Sequence, residues 1–280
     1  MFPLWEFCVF GPVEGVETCL RSGVDVNIQN ADNQTGLMGA AANCRTDDHV
    51  TTIKLLLEHP AIEVNKADKR GYTALIQATG DGYIEAVRLL LADPRVDVNC
   101  EIPPIVLAAA KTENIELFKL LLADRRVDVN RRNGNITALI NSTCNANVKA
   151  TKLLLDDPRV DVNWINRKGM SALHAAVASK TMLELFLAHQ RVDVNCKFGS
   201  HGRTILHTAA GKNNVEAVKL ILAEPRFTST NFLAEPGGRT PLAIAALKGN
   251  WDVVKELVDH PSVDLDVKNK NGLAIDDILR

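Results

Sequence analysis

Apolar and polar positions recur along this chain with a fixed rhythm. The segment YIEAVRLLLA, from Tyr83 to Ala92, has apolar residues at positions i, i+3, i+4 and i+7, which predicts an amphipathic helix. Pro94 ends this helix, and the following VDV begins an extended stretch. The same pattern recurs in the strings IKLLLEHP, VRLLLADP, FKLLLADR, TKLLLDDP, LELFLAHQ, VKLILAEP and VKELVDHP.

A second string precedes most of these helices at a fixed offset. It reads TGLMGAA, TALIQAT, TALINST, SALHAAV, TILHTAA and TPLAIAA in successive copies. We expect the leading Thr, or Ser171, to be a helix N-cap, and Pro241 occupies the favoured first helical position. A break near the ninth position, as at Gly82, Asn213 and Gly249, predicts a short helix.

A third string, VDVN or a close relative, marks the end of each unit. It ends at Asn27, Asn65, Asn99, Asn130, Asn163 and Asn195, with degenerate copies near Thr230 and at Asp266. Two residues before the next cap stand Gly71, Gly169, Gly202 and Gly238, with Asn33 and Asn135 at the same offset. Gly and Asn tolerate the positive φ of a tight hairpin turn. Such a unit cannot bury its own apolar face, so it must stack on its neighbours.

Taken together, the three strings resemble the ankyrin repeat, a unit of about 33 residues with a TPLHxAA helix start. The resemblance covers nearly the whole chain and implies an all-α repeat solenoid of stacked helix-turn-helix units with projecting β-hairpin loops. We predict one domain, 1–280. Its units are a partial one at 1–27, full ones at about 28–65, 66–99, 100–130, 131–163, 164–195, 196–231 and 232–266, and a partial one at 267–280.

Some units depart from the family pattern. Most have one extra residue between the LLL string and the next hairpin, where the family usually has Gly, and unit 28–65 has an insertion around Asn43–His49. Unit 100–130 has Pro103 and Pro104 in a shortened hairpin, where they remove two backbone donors. We expect the weakest joint there, with two-step urea unfolding and faster hydrogen exchange around 100–115.

Composition excludes several classes of protein. Hydrophobic residues make up 46% and charged residues 24%, so the chain can bury a core. Neither a membrane span nor a convincing signal peptide is present in the sequence. The six cysteines are scattered without a CxxC pair, which predicts reduced thiols and a cytoplasmic location, with a nuclear one left open.

Catalytic and metal-binding motifs are absent from the sequence. His174 and His207 occupy the His slot of the TPLH-like string, and the resemblance implies that they bond neighbouring turns. We therefore predict no enzyme activity, no metal, no cofactor and no small-molecule substrate. One alternative is that an enzyme or other effector domain follows residue 280.

Charge is distributed unevenly. The hairpin stretches contain twelve Lys and Arg against four Asp and Glu, on a chain of net charge −2. Lys111, Lys180, Lys212 and Lys248 stand near the ends of the first helices. Three interpretations remain open: a solvated surface, a basic groove for an acidic protein segment, and a nucleic-acid site that lacks interleaved aromatic residues.

The resemblance implies a protein–protein interaction module or scaffold, with contacts on a concave groove and on the hairpin tips. Trp164 opens a hairpin and is a candidate apolar anchor, whereas Trp5 and Trp251 fall at positions that predict core or cap packing. The candidate partner-binding residues are Arg70, Tyr72, Arg131, Arg132, Trp164, Arg167, Lys168, Met170, Lys197 and Arg203.

The N-terminus predicts a second kind of contact. Phe2, Pro3 and Leu4 align with the start of a first helix, so Trp5, Phe7 and Phe10 either cover the end of the stack or are exposed. An exposed apolar end favours weak self-association.

Several VDVN asparagines also have a spacing that the family associates with asparagine hydroxylation, a Leu eight residues upstream. These are Asn65, Asn99, Asn130, Asn163 and Asn195. The alternative is that the repeat itself requires both residues, the Leu for the core and the Asn for hydrogen bonds.

Overall fold

The computed structural model describes residues 4–99, 106–107, 109, 114–235, 237–272 and 274. The predicted hairpin at 100–103, with its prolines, and Lys111 lie outside the described residues. The weak joint expected around 100–115 therefore stays a prediction.

Short and longer helices alternate along the described chain, as the two sequence patterns predict. The first helices of the repeats are Leu4–Phe10, Gly36–Ala42, Ala74–Asp81, Ala138–Cys144, Ala172–Ala176, Ile205–Gly211 and Pro241–Leu247, and Val106, Leu107 and Ala109 are also helical. The second helices are Val13–Arg21, Asp47–Glu58, Ile84–Ala92, Ile115–Ala123, Val148–Asp156, Lys180–Ala188, Val215–Leu222 and Trp251–Val258. The predicted all-α repeat solenoid is confirmed.

The chain divides into two compact units, Met1–Ala138 and Leu139–Arg280. Within each unit, first helices pack on first helices and second helices on second helices. Gly36–Ala42 contacts Leu4–Phe10 and Ala74–Asp81, for example. The prediction of one continuous domain stays a prediction.

Small residues allow the first helices to approach closely. Ala40, Ala41, Ala209 and Ala210 are fully buried. A β-carbon on Gly36 would lie only 2.8 Å from Cys8 Sγ, so a larger residue there would force its neighbour to move. The Ala- and Gly-rich string in the sequence therefore sets the spacing of the stack.

Five of the six predicted N-caps are confirmed, and the cap at Thr137 stays a prediction. Thr35, Thr73, Ser171 and Thr240 each accept a hydrogen bond from the backbone N–H three residues on. Thr204 forms a reciprocal cap, since its own backbone N–H donates to His207 Nδ1 at 3.1 Å.

The predicted turns are confirmed at most positions. Positive φ occurs at the helix breaks Gly82, Asn213 and Gly249, and at the hairpin positions Asn33, Gly71, Gly169, Gly202 and Gly238. Asn135 is the exception, because the left-handed residue of that hairpin is Gly134 (φ 59°). This hairpin is one residue shorter than most of the others, so its glycine takes the turn position and Asn135 does not.

Five of the VDVN asparagines bridge to the loop of the following repeat through both polar atoms of the side chain. Asn65 Nδ2 donates to the Arg95 carbonyl (2.7 Å), and the Asp97 N–H donates to Asn65 Oδ1 (2.7 Å). The same pair of bonds is made by Asn27, Asn99, Asn163, Asn195 and Asn231. Asn231 is thus the bridging residue of the degenerate copy near Thr230.

The outer loops, which have one residue more than the family pattern, make a second contact between repeats. Acid-x-Arg pairs form there, with oxygen–nitrogen distances of 2.6–2.7 Å, at Asp93–Arg95, Asp124–Arg126, Asp157–Arg159 and Glu224–Arg226. Arg95, Arg126 and Arg226 also donate to carbonyls that end the second helix of the preceding repeat. Arg95 bonds the Leu57 carbonyl, and Arg126 the Leu91 carbonyl, each at 2.6 Å. These carbonyls have no partner within their own helix.

We predict that Arg226→Met destabilises the chain by about 1–2 kcal/mol, because it removes several charge-assisted hydrogen bonds. Arg226 donates to the carbonyls of Leu187, His189 and Val192 and pairs with Glu224. Urea unfolding measures the change. Arg203→Met, at an exposed hairpin residue, is the control and should shift stability by about 0.5 kcal/mol or less. Equal losses in the two variants would contradict the role of the loop arginines.

Candidate interaction surface

Four hairpins of the unit Leu139–Arg280, at 164–170, 196–203, 232–239 and 267–272, project from the helices. We call them the C-terminal finger row. Isolated antiparallel bridges close three of them, at Ile165–Ser171, Phe198–Arg203 and Ala234–Arg239. In the first, buried Asn166 accepts the backbone N–H groups of Lys168 and Met170 at 2.9 Å. Each finger is therefore held by its own hydrogen bonds.

Neighbouring fingers are also joined through their backbones. A β-carbon on Gly169 would lie 2.0 Å from Gly199 Cα and N, so the first two fingers are in direct contact. The Glu235 N–H donates to the His201 carbonyl at 2.8 Å, and the Lys270 N–H donates to the Gly237 carbonyl at 3.2 Å. The row is consequently continuous from finger 164–170 to finger 267–272.

Side chains add two further links between fingers. Lys197 Nζ lies 3.9 Å from the centre of the Phe232 ring, a cation–π contact. Lys270 Nζ lies 2.5 Å from Glu235 Oε1. These contacts join finger 196–203 to finger 232–239, and finger 232–239 to finger 267–272.

Two buried histidines lie beneath the row. His207 Nε2 donates to the Arg239 carbonyl at 3.1 Å, which ties a first helix to the next finger as the resemblance implied. His174 bonds Ser171 Oγ through Nδ1 (2.7 Å) and packs against Phe198, while its buried Nε2 has no protein partner. Burial lowers the pKa of His174 to about 3 and that of His207 to about 4, so both rings are neutral at pH 7.

The structure brings six of the predicted contact residues together in this row. Arg167, Lys168, Lys197 and Arg203 are exposed, and Trp164 and Met170 are half-buried. Both half-buried side chains belong to the finger that carries Arg167 and Lys168.

The other four predicted residues lie in the unit Met1–Ala138. Arg70 is exposed and stacks over Tyr72, with 5.0 Å between the guanidinium carbon and the ring centre. Buried Asp68 holds their hairpin by accepting the backbone N–H groups of both residues. Arg131 is half-buried and Arg132 is exposed on a second hairpin of this unit.

The lysines of the first-helix ends are partly engaged within the protein. Lys180 Nζ lies 3.5 Å from Glu216 Oε2, and Lys248 Nζ donates to the Gly211 carbonyl at 2.8 Å. Lys212 is exposed. The finger cations are therefore the stronger candidates for partner contact.

Of the two roles predicted for Trp251, the core position is wrong, because the residue is 60% exposed, and packing as a cap stays a prediction. Trp251 begins a second helix, and the first residue of such a helix lies at the surface in other repeats as well, as at Val148. At the other end of the chain, Trp5 is half-buried and meets the edge of Phe10, which is 80% exposed.

The five asparagines with hydroxylation spacing are exposed or half-buried. In Asn65, Asn99, Asn163 and Asn195 both side-chain polar atoms are used in the inter-repeat bridges. These hydrogen bonds support the alternative interpretation, in which the repeat itself requires the asparagines. Hydroxylation stays a prediction, and an intact mass with one added oxygen on protein from its own cells would test it.

Sequence reasoning missed several asparagines that start second helices. Asn114, Asn147 and Asn214 accept the backbone N–H three residues on, and Asn214 Nδ2 also donates to the Val177 carbonyl of the preceding repeat. Asn immediately before an amphipathic run was the available signal.

Among the described residues, no three His, Cys, Asp or Glu side chains cluster in a way that could hold a metal ion. The helices within those residues are also too short or too polar to cross a membrane.

We predict that stability falls as the pH drops from about 6.5 toward 4. In that pH range His174 and His207 take up protons in the unfolded chain but stay neutral in the folded chain. Acidification therefore lowers the free energy of unfolding by up to about 1.4 kcal/mol per pH unit for each ring. Urea unfolding at pH 7 and pH 5 measures the effect. His174→Asn should reduce the slope, and an unchanged slope would contradict a neutral buried ring.

A family model described as ankyrin repeats (3 copies) matches residues 4–102, 105–198 and 178–271. The chain is 31% identical over 105 residues to the human transient receptor potential cation channel subfamily A member 1, across 36% of this chain and 9% of the channel. It is 29% identical over 97 residues to a putative ankyrin repeat protein of Rickettsia bellii, across 34% of this chain and 51% of that protein. These matches span about half or less of each relative.

Among solved structures, the crystal structure of the human ASB11 ankyrin repeat domain superposes with a TM-score of 0.61 at 25% identity, covering 79% of this chain and 98% of that chain. Ankyrin repeats generally act as protein–protein interaction modules, and the fold is typically non-catalytic. The repeated caps, the bridging asparagines and the matched family model, which extends over most of the sequence, lead to one conclusion: this chain belongs to the ankyrin-repeat family.

Proposed function

We propose that this chain is a non-catalytic interaction module that binds an acidic segment of a partner protein on the C-terminal finger row. The charge of the row carries the proposal. Its four hairpin segments contain seven Lys and Arg and one acidic residue, Glu235, whose carboxylate is already paired with Lys270. Five of the six cysteines, all but Cys100, lie within the described residues. These five are free thiols, which supports a reducing compartment such as the cytoplasm or nucleus.

Spacing makes these cations act together. Stacked helices lie about 10 Å apart, so neighbouring fingers are separated by about one Debye length at physiological ionic strength. Arg167, Lys168, Lys197 and Arg203 therefore reinforce one another along the row. Arg side chains can also hold carboxylates through two parallel hydrogen bonds.

Trp164 and Met170 supply an apolar element within the same finger as Arg167 and Lys168. Both are half-buried, so each presents part of its surface while the rest packs against the protein. A large apolar side chain of the partner would bury against them between two charged contacts.

The test is a charge reversal, Arg167→Glu with Arg203→Glu, read by fluorescence anisotropy of a labelled poly-glutamate peptide. We expect at least a tenfold loss of affinity, and wild-type binding that weakens as salt rises. Stability should change little, because both side chains are exposed.

Lys149→Glu with Lys152→Glu is the matched control, since it makes the same change in net charge on an exposed second helix. Equal losses in both variants would show that only the overall charge matters and would overturn the finger row as the site. Tighter binding of a nucleic acid than of the peptide would favour the nucleic-acid alternative.

A second candidate contact is weak self-association at the N-terminal repeat. What supports it is Phe10, 80% exposed at the end of the first helix beside Trp5. Phe10 and Trp5 together form an aromatic patch at the surface, and exposed apolar patches favour association.

We predict that Phe10→Asp abolishes any concentration-dependent increase in sedimentation coefficient, with Trp251→Asp as a control at another exposed aromatic residue. A strict monomer at high concentration, or association that persists in Phe10→Asp, would contradict this contact.

A further inference from the structure

We propose that Ser200 is a phosphorylation site and that its phosphate switches off binding of acidic partners to the C-terminal finger row. The inference rests on the proposed function, because it concerns the regulation of the same surface. Ser200 is the single Ser or Thr in the four finger segments, and its side chain is exposed.

The position of Ser200 within the row carries the inference. Gly199, the residue before it, is in direct contact with Gly169, which follows Arg167 and Lys168. His201, the residue after it, accepts a backbone hydrogen bond from Glu235 of the next finger. Ser200 therefore lies between two neighbouring fingers, near the middle of the row rather than at one end.

Ser200 lies at an exposed turn, where a modifying enzyme can reach its hydroxyl. Gly199 and Gly202 both have positive φ, so the chain turns sharply around Ser200 and His201. All three residues from Gly199 to His201 are exposed. Lys197 and Arg203 flank the turn at three residues on either side, a basic context that many Ser/Thr kinases select.

The modification is an ordinary phosphoryl transfer. A Ser/Thr protein kinase uses ATP as donor, and the new ester bond forms between phosphorus and Ser200 Oγ as the bond to ADP breaks. The hydroxyl proton passes to the base of the kinase. The product carries a charge of about −1.5 to −2 at pH 7 and three acceptor oxygens.

Placed among exposed cations, this phosphate would bind them within the molecule. Arg167, Lys168, Lys197 and Arg203 are long side chains on the contacting fingers, and phosphate forms short charge-assisted bonds with such groups. A partner carboxylate would then meet a row whose central charge has been neutralised, and the phosphate would repel it.

The experiment compares chains with phosphoserine installed genetically at position 200 or at position 181. Thr181 is exposed on the second helix Lys180–Ala188 and serves as the matched control for added charge. Binding of labelled poly-glutamate should weaken about tenfold or more with phosphoserine at 200, and much less with it at 181. Phosphatase treatment should restore full affinity.

The outcomes separate the two proposals. If the unmodified chain does not bind poly-glutamate, the proposed function fails. If it binds, and phosphoserine at 200 has no larger effect than at 181, the switch alone is overturned. Phosphopeptide analysis of the protein from its own cells, prepared with phosphatase inhibitors, should find phosphate on Ser200, and its absence there would overturn the modification.

Discussion

The inter-repeat asparagine bridge is the interaction on which the rest of this structure depends. An ankyrin unit cannot bury its apolar face alone, so every repeat needs a neighbour at a defined distance and rotation. Apolar contacts are not directional and set the distance only. An amide that donates to one backbone carbonyl and accepts from one N–H of the next loop also sets the rotation, as Asn65 does with Arg95 and Asp97.

The acid-x-Arg loops add a second constraint to the same joint, since Arg95 accepts the Asn65 bridge with its carbonyl and donates to the Leu57 carbonyl with its guanidinium. An arginine such as Arg126 bonds its own Asp124 and the end of the preceding second helix. The aspartate orients the guanidinium. The guanidinium then donates hydrogen bonds to helix carbonyls that would otherwise bond only to water. Hydrogen bonding to Arg95 likewise holds the pKa of Asp93 below its usual value, because the guanidinium stabilises the ionised carboxylate.

Hairpins held in this way keep a fixed order within each unit, and under the proposed function that order allows a weak charge pattern to bind a partner. Single exposed cations contribute little to affinity. Cations on fingers that are bonded to one another act at known separations, without further loss of conformational freedom. Under the proposed regulation, the contacts between fingers would keep a phosphate on Ser200 close to the cations of the row.

The sequence alone determined the family, most of the helix caps, the helix breaks and the basic residues of the fingers, because these depend on residue type at a fixed repeat spacing. It predicted core or cap packing for Trp251 and placed the turn of one hairpin at Asn135, whereas Trp251 is 60% exposed and Gly134 takes the turn. Only the tertiary structure showed that Gly169 meets Gly199, that Lys197 covers Phe232, and that Asn231 continues the bridging series. Those contacts join residues about 30 positions apart, and no local pattern records which side chains of two neighbouring repeats will face each other.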